Sequence, residues 1–371
     1  MTSPGFIGRG GPDPRAAPPD RLAPSTALLV EAVGEAMTEA LCLAALAPSS
    51  HNTQPWLVLV HGPRRWSLAL APDRCLPVVD PADRESLVSL GAFLENLVVA
   101  AGNFGVDVQV TGYASRPDDP ELVRLAMPPG APPAVGATAS LVSRRPLRGP
   151  FSTRPVDPRD VEALCAGVRG VTWIPGDSPY ARRVRDVVVG AVRRQVSRDD
   201  AQDELADWLR WSDDDVAHHR DGLTPASLGL TGVAAWWARR FFDRDTVRSR
   251  LFRRQAVAQA AKVTGACGGW LVVSGLAPGV QGSLEAGRAF EQAFLRARGL
   301  GLGIHPMSQP LEEPGWRGEL ESAIAFPGYP RMLLRVGYVD DYPPPVSPRR
   351  PPAAFTRVLT TARGTARRRL P

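Results

Sequence analysis

Four short segments of this 371-residue chain gather side chains suited to chemistry rather than to filling a core. The first, APSSHNTQPW at 47–56, sets Ser49, Ser50, His51, Asn52 and Gln54 between Pro48 and Pro55, directly before an apolar run. The second, SRRPLRGPF at 143–151, carries Arg144, Arg145 and Arg148. The third, GLGIHPMSQPLEE at 301–313, runs from a Gly-rich turn into Pro306, Met307, Ser308 and Gln309. The fourth, VSPRRPP at 346–352, holds Arg349 and Arg350 between prolines. Guanidinium groups fork onto phosphate oxygens. Amides and hydroxyls match the donors and acceptors on the edge of a heterocycle. A Gly-rich turn lets backbone N–H groups approach a flat ring. A phosphate and a polar heterocycle together describe a nucleotide-like ligand.

Other chemistries find less support. His218 and His219 follow Asp213–Asp215 without metal-ligand spacing, which suits a solvated helix face. GLGLG at 299–303 follows a helical pattern and is not the dinucleotide fingerprint. Neither GxSxG nor HExxH occurs. His51 has no evident base partner and receives no catalytic role. The formal net charge is +6, and Lys262 is the only lysine, so the charge is arginine, spread along the chain. No nucleic-acid-binding motif accompanies it, and neither nucleic acid nor a membrane is expected as a partner. Cys42, Cys75, Cys165 and Cys267 form no CxxC pair and read as buried free thiols of a reducing compartment. No signal peptide or membrane span is evident, which predicts a cytoplasmic protein.

The elements that must position these segments follow from periodicity. Residues 1–24 read as a disordered leader and 353–371 as a basic, solvated tail. A helix is expected over 26–46, with Glu31, Glu35 and Glu39 as its polar stripe. Strands follow at 56–61, 66–71 and 106–112, a helix runs from the DP at 80–81 to about 104, and a Pro/Gly-rich loop crosses 116–138.

The chain then echoes itself. EALC occurs at 39–42 and 162–165, each time on a helix leading to a tryptophan-bearing strand. LGAFLENLVVAAGNFG at 90–105 aligns with AGRAFEQAFLRARGLG at 286–301, matching Gly91 to Gly287 and Glu95 to Glu291. Two echoes in the same order indicate a degenerate duplication. The offset between matched positions grows from 123 to 196 residues, so the second copy carries about 73 extra residues, placed at 190–265. That segment is helical, aromatic and charged, and reads as a lid, with Trp236, Trp237, Phe241 and Phe242 as its buried side chains and substrate stacking as the alternative.

The segment Pro48–Trp56 resembles the PSSxNxQPW loop of the FMN-dependent nitroreductases, and the chain is similar in plan to their Acg-like subfamily, in which a fused chain mimics the dimer. The resemblance covers about 26–352. It implies an α+β, nitroreductase-type fold of two pseudo-repeats, 25–138 and 139–352, each a mixed sheet with helices around a central helix pair. It also implies one FMN, with Pro48, Ser49, Ser50, Asn52 and Gln54 contributed by the first copy. Arg144, Arg145 and Arg148 resemble the family's RxSxR segment. Pro306, Met307, Ser308 and Gln309 resemble the loop facing flavin N5, and Arg349 and Arg350 resemble the C-terminal phosphate pair. Arg148 would then lie near N1 and O2, where it stabilises negative charge on the reduced ring. Pro146 replaces the family's serine and removes a hydroxyl and an N–H. The expected reaction is a two-electron transfer from NAD(P)H to a nitroaromatic or quinone-like acceptor. The alternatives are a closed FMN-sequestering protein and a biosynthetic flavin oxidase.

Overall fold

The computed structural model describes residues 26–130, 137–324 and 328–359, so the leader 1–24 and the tail beyond 359 lie outside the described residues. The expected first helix is cut in two, α1 (Thr26–Val33) and α2 (Glu35–Ala44), at Gly34. Gly34 has φ 83°, a left-handed conformation that suits glycine. Leu29 and Leu41 face the core, while Glu31, Glu35 and Glu39 stay exposed as expected.

β1 (Trp56–Gly62) and β2 (Arg65–Leu70) form an antiparallel hairpin, with Trp56, Val58 and Val60 turned inward at every second residue. The long helix α3 (Arg84–Gly102) starts after the DP pair because Asp80 caps it: its carboxylate accepts from Glu85 N at 3.0 Å and from Ser86 N at 2.9 Å. β3 (Gln109–Tyr113) follows. Inside the stretch expected to be loop lies β4 (Val123–Ala126), whose Val123 and Leu125 alternate into the core. Four residues are too short a run for that period to stand out against the flanking prolines and glycines. α4 (Ala137–Ser143) leads to the arginine segment.

The second half begins with α5 (Pro158–Cys165), started at the DPRD signal, where Asp157 accepts from Arg159 N at 2.8 Å. β5 (Val171–Pro175) and α6 (Pro179–Ser197) precede the insertion, which is helical as expected: α7 (Asp199–Asp207), α8 (Asp213–His219), α9 (Gly232–Phe241), α10 (Arg244–Arg248) and α11 (Arg250–Thr264). Then come β6 (Gly269–Gly275), α12 (Gly279–Gly299), β7 (Leu302–Pro306), α13 (Gln309–Glu312), α14 (Trp316–Ile324) and β8 (Tyr329–Tyr338). The chain closes with α15 (Pro352–Phe355) and β9 (Thr356–Val358).

The strands make two sheets on either side of the long helices, in the order β3-β4-β2-β1-β9 and β5-β6-β8-β7. The first is mixed, because β9 runs parallel to β1. The second is antiparallel at every pairing. β9 also corrects the reading of 353–371 as solvated tail. Its first residues are core: Phe355 is fully buried and sits edge-on to Trp56 and Phe93, with ring centroids 6.5 and 5.8 Å apart. Thr356–Val358 had no period long enough to read.

α3 and α12 cross at the centre. Gly91 and Gly287, the positions matched by the internal echo, face each other there. A Cβ on Gly91 would lie 2.1 Å from Leu284 O and 2.9 Å from Gly287 Cα, and one on Gly287 would lie 2.1 Å from Val88 O. α3 is also long and apolar enough to cross a membrane by composition, but 83% of that stretch is buried inside the protein. Its role is that of a core helix.

Two side-chain expectations fail. Cys42 is exposed and the other three cysteines are half-buried, all of them free. Trp236, Trp237 and Phe241 are 58%, 52% and 52% exposed instead of buried, and Phe242 is half-buried. α9 turns Ala238, not its aromatics, toward the protein.

Gly91→Ala is expected to destabilise the protein by about 1–3 kcal/mol or more, because neither opposing backbone can yield without separating the helices. Urea unfolding reads this as a lower midpoint, and an unchanged midpoint would refute the close crossing.

Candidate functional site

The opening loop is a strained piece of backbone. His51, Asn52 and Gln54 have φ of 48°, 55° and 55°. Left-handed non-glycine residues are uncommon, and three within four positions persist only where surroundings fix them. Fixation comes from both sides. Ser49 Oγ accepts from Gln54 N at 3.0 Å, closing the loop on itself. At the exit Trp56 stacks on Phe93 with centroids 5.0 Å apart.

This loop meets the arginine segment and the C-terminal arginines. Pro48, Ser49, Asn52, Arg144, Arg145, Arg148 and Arg349 line one small cavity of about 50 Å³, together with Pro146 and, from the insertion, Leu223 and Ser227. Segments nearly 300 residues apart in sequence therefore converge as expected. Gln54 and Arg350 lie beside it, tied to each other: Arg350 N donates to Gln54 Oε1 at 2.9 Å and Arg350 Nη1 to Gln54 O at 3.0 Å. A wider cleft of about 860 Å³ adjoins. It shares Arg145, Arg148 and Val346 with the small cavity and is walled by Phe151, Tyr338 and the insertion's Ala226, Gly229 and Thr231.

The arginines are held differently. Arg144 is buried, with Nε 3.0 Å from the carboxylate of Glu291 and its guanidinium 4.9 Å from the centroid of Phe294. Its guanidinium is thus already engaged, which the reading of Arg144 as a free phosphate ligand did not foresee. Arg349 donates to Asn52 Oδ1 at 2.8 Å and to Leu46 O at 3.0 Å. Burial, then the nearby Arg144, lower its pKa to about 9, so it remains a cation at neutral pH. Arg350 also donates to Ala354 O at 2.7 Å, which makes it a strut for the C-terminal segment rather than a cavity residue. Arg148 donates to Ser227 O at 3.0 Å.

Several buried polar atoms here lack a partner: Arg144 Nη1, Arg349 Nε, His51 Nδ1 and Gln309 Oε1. Orphaned cationic N–H groups at a cavity are where an anion gains most, since burial without a partner is costly. Burial lowers the pKa of His51 to about 4, so it is neutral at pH 7.

The N5-like turn sits elsewhere. Met307 and Ser308 are buried beside β8: Met307 N donates to Leu333 O at 2.8 Å, and Ser308 Oγ accepts from Leu333 N at 3.1 Å. None of Pro306, Met307, Ser308 and Gln309 lines the small cavity. The turn leads into a second polar cluster that the sequence reading missed. Ser50 Oγ donates to the buried carboxylate of Glu85, which also pairs with Arg84 at 3.0 Å and faces Glu312. Burial and then the charge of Glu85 raise Glu312 well above the usual carboxylate range. Burial would raise Glu85 too, but Arg84 and the Ser50 hydroxyl hold it low. The pair thus shares one negative charge, the usual outcome for adjacent buried carboxyls. Gln195 on α6 donates to Glu312 at 2.6 Å, linking this cluster to the helix that leads into the insertion.

Glu291 was also missed as a site residue, although the echo had matched it to Glu95. The two glutamates occupy equivalent places on the central helices: Glu95 accepts from Arg288 and Gln292 at 2.8 Å each, and Glu291 faces Arg144. Asn96, in the orientation that satisfies both its neighbours, donates to Glu291 at 2.9 Å and accepts from Ala47 N at 3.1 Å.

The insertion supplies carbonyls to the loop and the arginines. Asn52 Nδ2 donates to Gly222 O at 3.0 Å and Gln54 Nε2 to Arg220 O at 2.9 Å, beside the Arg148 bond to Ser227 O. Asp221 anchors that segment through Arg74 at 2.8 Å and Arg210 at 2.7 Å, all three largely buried. The insertion therefore lies on the site.

No family model matches the chain. Among known proteins it is 30% identical over 327 residues to "Putative NAD(P)H nitroreductase Rv3131" of Mycobacterium tuberculosis, covering 85% of this chain and 89% of that one. It is 26% identical over 333 residues to "Putative NAD(P)H nitroreductase acg" of the same organism, covering 85% and 94%. It is 25% identical over 356 residues to "Probable NAD(P)H nitroreductase PigM" of a Serratia species, covering 88% and 94%. The chain belongs to the NAD(P)H nitroreductase family, in its Acg-like branch. Among solved structures, the FMN-dependent nitroreductase NfnB of Mycobacterium smegmatis in complex with NADPH overlaps 61% of this chain and 93% of its own, at 12% identity and TM-score 0.36.

Burial raises Glu291 to about 7, against the opposing pull of Arg144. A carboxyl whose folded pKa lies above its unfolded value of 4.5 binds more protons when folded between the two. Its contribution to stability is therefore full below about 4.5 and is lost as pH rises through about 7. Glu291→Gln should flatten that decline in a series of melts from pH 5 to 8. A decline of unchanged slope would show that Glu291 is ionised throughout.

Proposed function

We propose that this chain, an oxidoreductase of the NAD(P)H nitroreductase family, binds a single FMN between the first-half loop and the second-half arginines, as a fused chain doing a dimer's work. The observation that carries this reading is the convergence of Pro48–Asn52 with Arg144, Arg148 and Arg349 on one cavity, where buried guanidinium N–H groups lack partners. That donor set fits an anionic phosphate. Bound there, FMN supplies two-electron chemistry, taking a hydride from NAD(P)H and passing it to a nitroaromatic or quinone-like acceptor.

The chain's own residues divide the work. Arg349, oriented by Asn52, and Arg144, balanced by Glu291, hold the phosphate. Arg350 acts through Gln54 by fixing the segment that carries Arg349. Arg145 lies half-exposed at the junction of both cavities. Arg148 would supply positive charge at the ring's pyrimidine edge, where it would stabilise the reduced flavin. Of the Met307–Gln309 turn, Met307 N–H is committed to Leu333, which leaves Ser308 and Gln309 to donate toward N5.

A second reading, that FMN is held under a closed lid with little turnover, is favoured by one observation. The carbonyls of Arg220, Gly222 and Ser227 occupy the donors that a ring edge would use. A cavity of about 50 Å³ takes a phosphate-sized group but not an isoalloxazine, so binding requires this segment to shift.

Anaerobic absorbance of the FMN-loaded protein on adding NADPH tests both. A reductase bleaches within seconds, a sequestering protein stays yellow until dithionite is added, and failure of the flavin band to develop refutes the site. Asp221→Asn loosens the anchor of the covering segment and should speed bleaching at least about tenfold. Arg148→Ala should slow bleaching by about 10²-fold while leaving the midpoint of thermal unfolding within a few degrees.

A further inference from the structure

We propose that α9 of the insertion is an interfacial membrane-docking element, and that its occupant is the surface of an anionic lipid bilayer. Composition and motifs predicted no membrane partner. The inference comes from which way the helix faces, and it is independent of the redox reading above.

At 100° per residue, Trp236, Arg240, Val233, Trp237 and Phe241 fall within one arc of about 140°. Ala238 lies outside that arc and is fully buried, so the aromatic side is the outward one. Val233 is 74% exposed. The aromatics are clustered rather than scattered: Trp237 and Phe241 lie 4.4 Å apart, with Trp236 at 5.9 and 6.1 Å from them. A water-facing helix normally presents its polar side, so this one is inverted for a soluble surface.

The composition of the arc identifies the occupant. Tryptophan and phenylalanine seat at the headgroup level of a bilayer, where their rings meet both apolar and polar surroundings. The outward arc carries Arg240 at its middle and no acid. Among the described residues Arg240 makes no ion pair, nor do Arg250 and Arg254 just beyond, whereas Arg239, Arg244, Arg248 and Arg253 are each matched to an aspartate. Asp243 is turned to cap its own helix, accepting from Thr246 N at 2.8 Å. A second copy meeting this face would bring a second unpaired Arg240 and no acid from α9 to the interface, while anionic headgroups supply the missing counter-charge. Thr231, immediately before α9, also lines the 860 Å³ cleft, so docking would bring the rim of that cleft to the bilayer.

The test uses the full chain and vesicles of phosphatidylcholine with or without phosphatidylglycerol, some carrying acyl-brominated lipid to quench tryptophan. Co-sedimentation should be at least about tenfold stronger with phosphatidylglycerol, with fluorescence quenched by the brominated lipid. The W236S/W237S/F241S variant should lose the quenching and about tenfold or more of the binding, while keeping the parent's circular dichroism. Separately, R240S/R250S/R254S should lose the preference for phosphatidylglycerol. Vesicle binding that survives the aromatic substitutions without quenching would overturn the proposal, because the charge alone would be responsible. So would absence of binding accompanied by a concentration-dependent dimer that the aromatic substitutions abolish, which would make the occupant a second copy.

Discussion

Everything at the candidate site depends on how near two helices can come. α3 and α12 touch through Gly91 and Gly287, where even one extra carbon would meet a backbone oxygen at 2.1 Å. That contact fixes the spacing of the two halves. It also fixes the spacing between the loop after α2, which packs on α3, and the arginine segment, which reaches α12 through Arg144 and Glu291. A wider crossing would draw Asn52 away from Arg349 and leave Glu291 buried without its cation. The close approach is local and steric, and the polar site is its dependent.

Two ion pairs accompany this crossing. Glu95 with Arg288 and Glu291 with Arg144 flank it on opposite sides. Buried pairs of this kind add little net stability, because desolvation offsets their attraction, but losing one partner is costly. They therefore act on register: helices slid by one turn would strand a charge in the core. The Glu85–Glu312 pair does the same between the opening loop and the N5-like turn, with Arg84 as the cation on Glu85 and burial favouring the protonated form of Glu312.

Much of this was legible because it rests on short, chemically dense strings. PSSHNTQP, the three arginines after α4 and the Arg349–Arg350 pair were found by residue type, and the structure brings them together at one place. Gly91 and Gly287 were legible as an echo, though nothing in the sequence said that they touch. Other features were not legible because they depend on partners distant in the chain. The engagement of Arg144 requires knowing that Glu291 lies opposite. The direction of α9 requires knowing which of its sides meets the protein, and propensity alone favours burying tryptophan. β4 and β9 are too short for a period of two to be seen, and each is held by the strand beside it rather than by its own sequence.

β9 has a consequence for the history of such a chain. The last described strand belongs to the sheet of the first half, so the polypeptide leaves that half after α3 and its strands, traverses the second, and comes home. Two separate subunits must each carry every part of a site, because symmetry copies any change to both. Once the halves share one backbone, drift in either is private. On the fused-dimer reading proposed above, one half would keep the loop and lose the arginines while the other did the reverse, and the return strap would hold the two at fixed distance whatever the protein concentration.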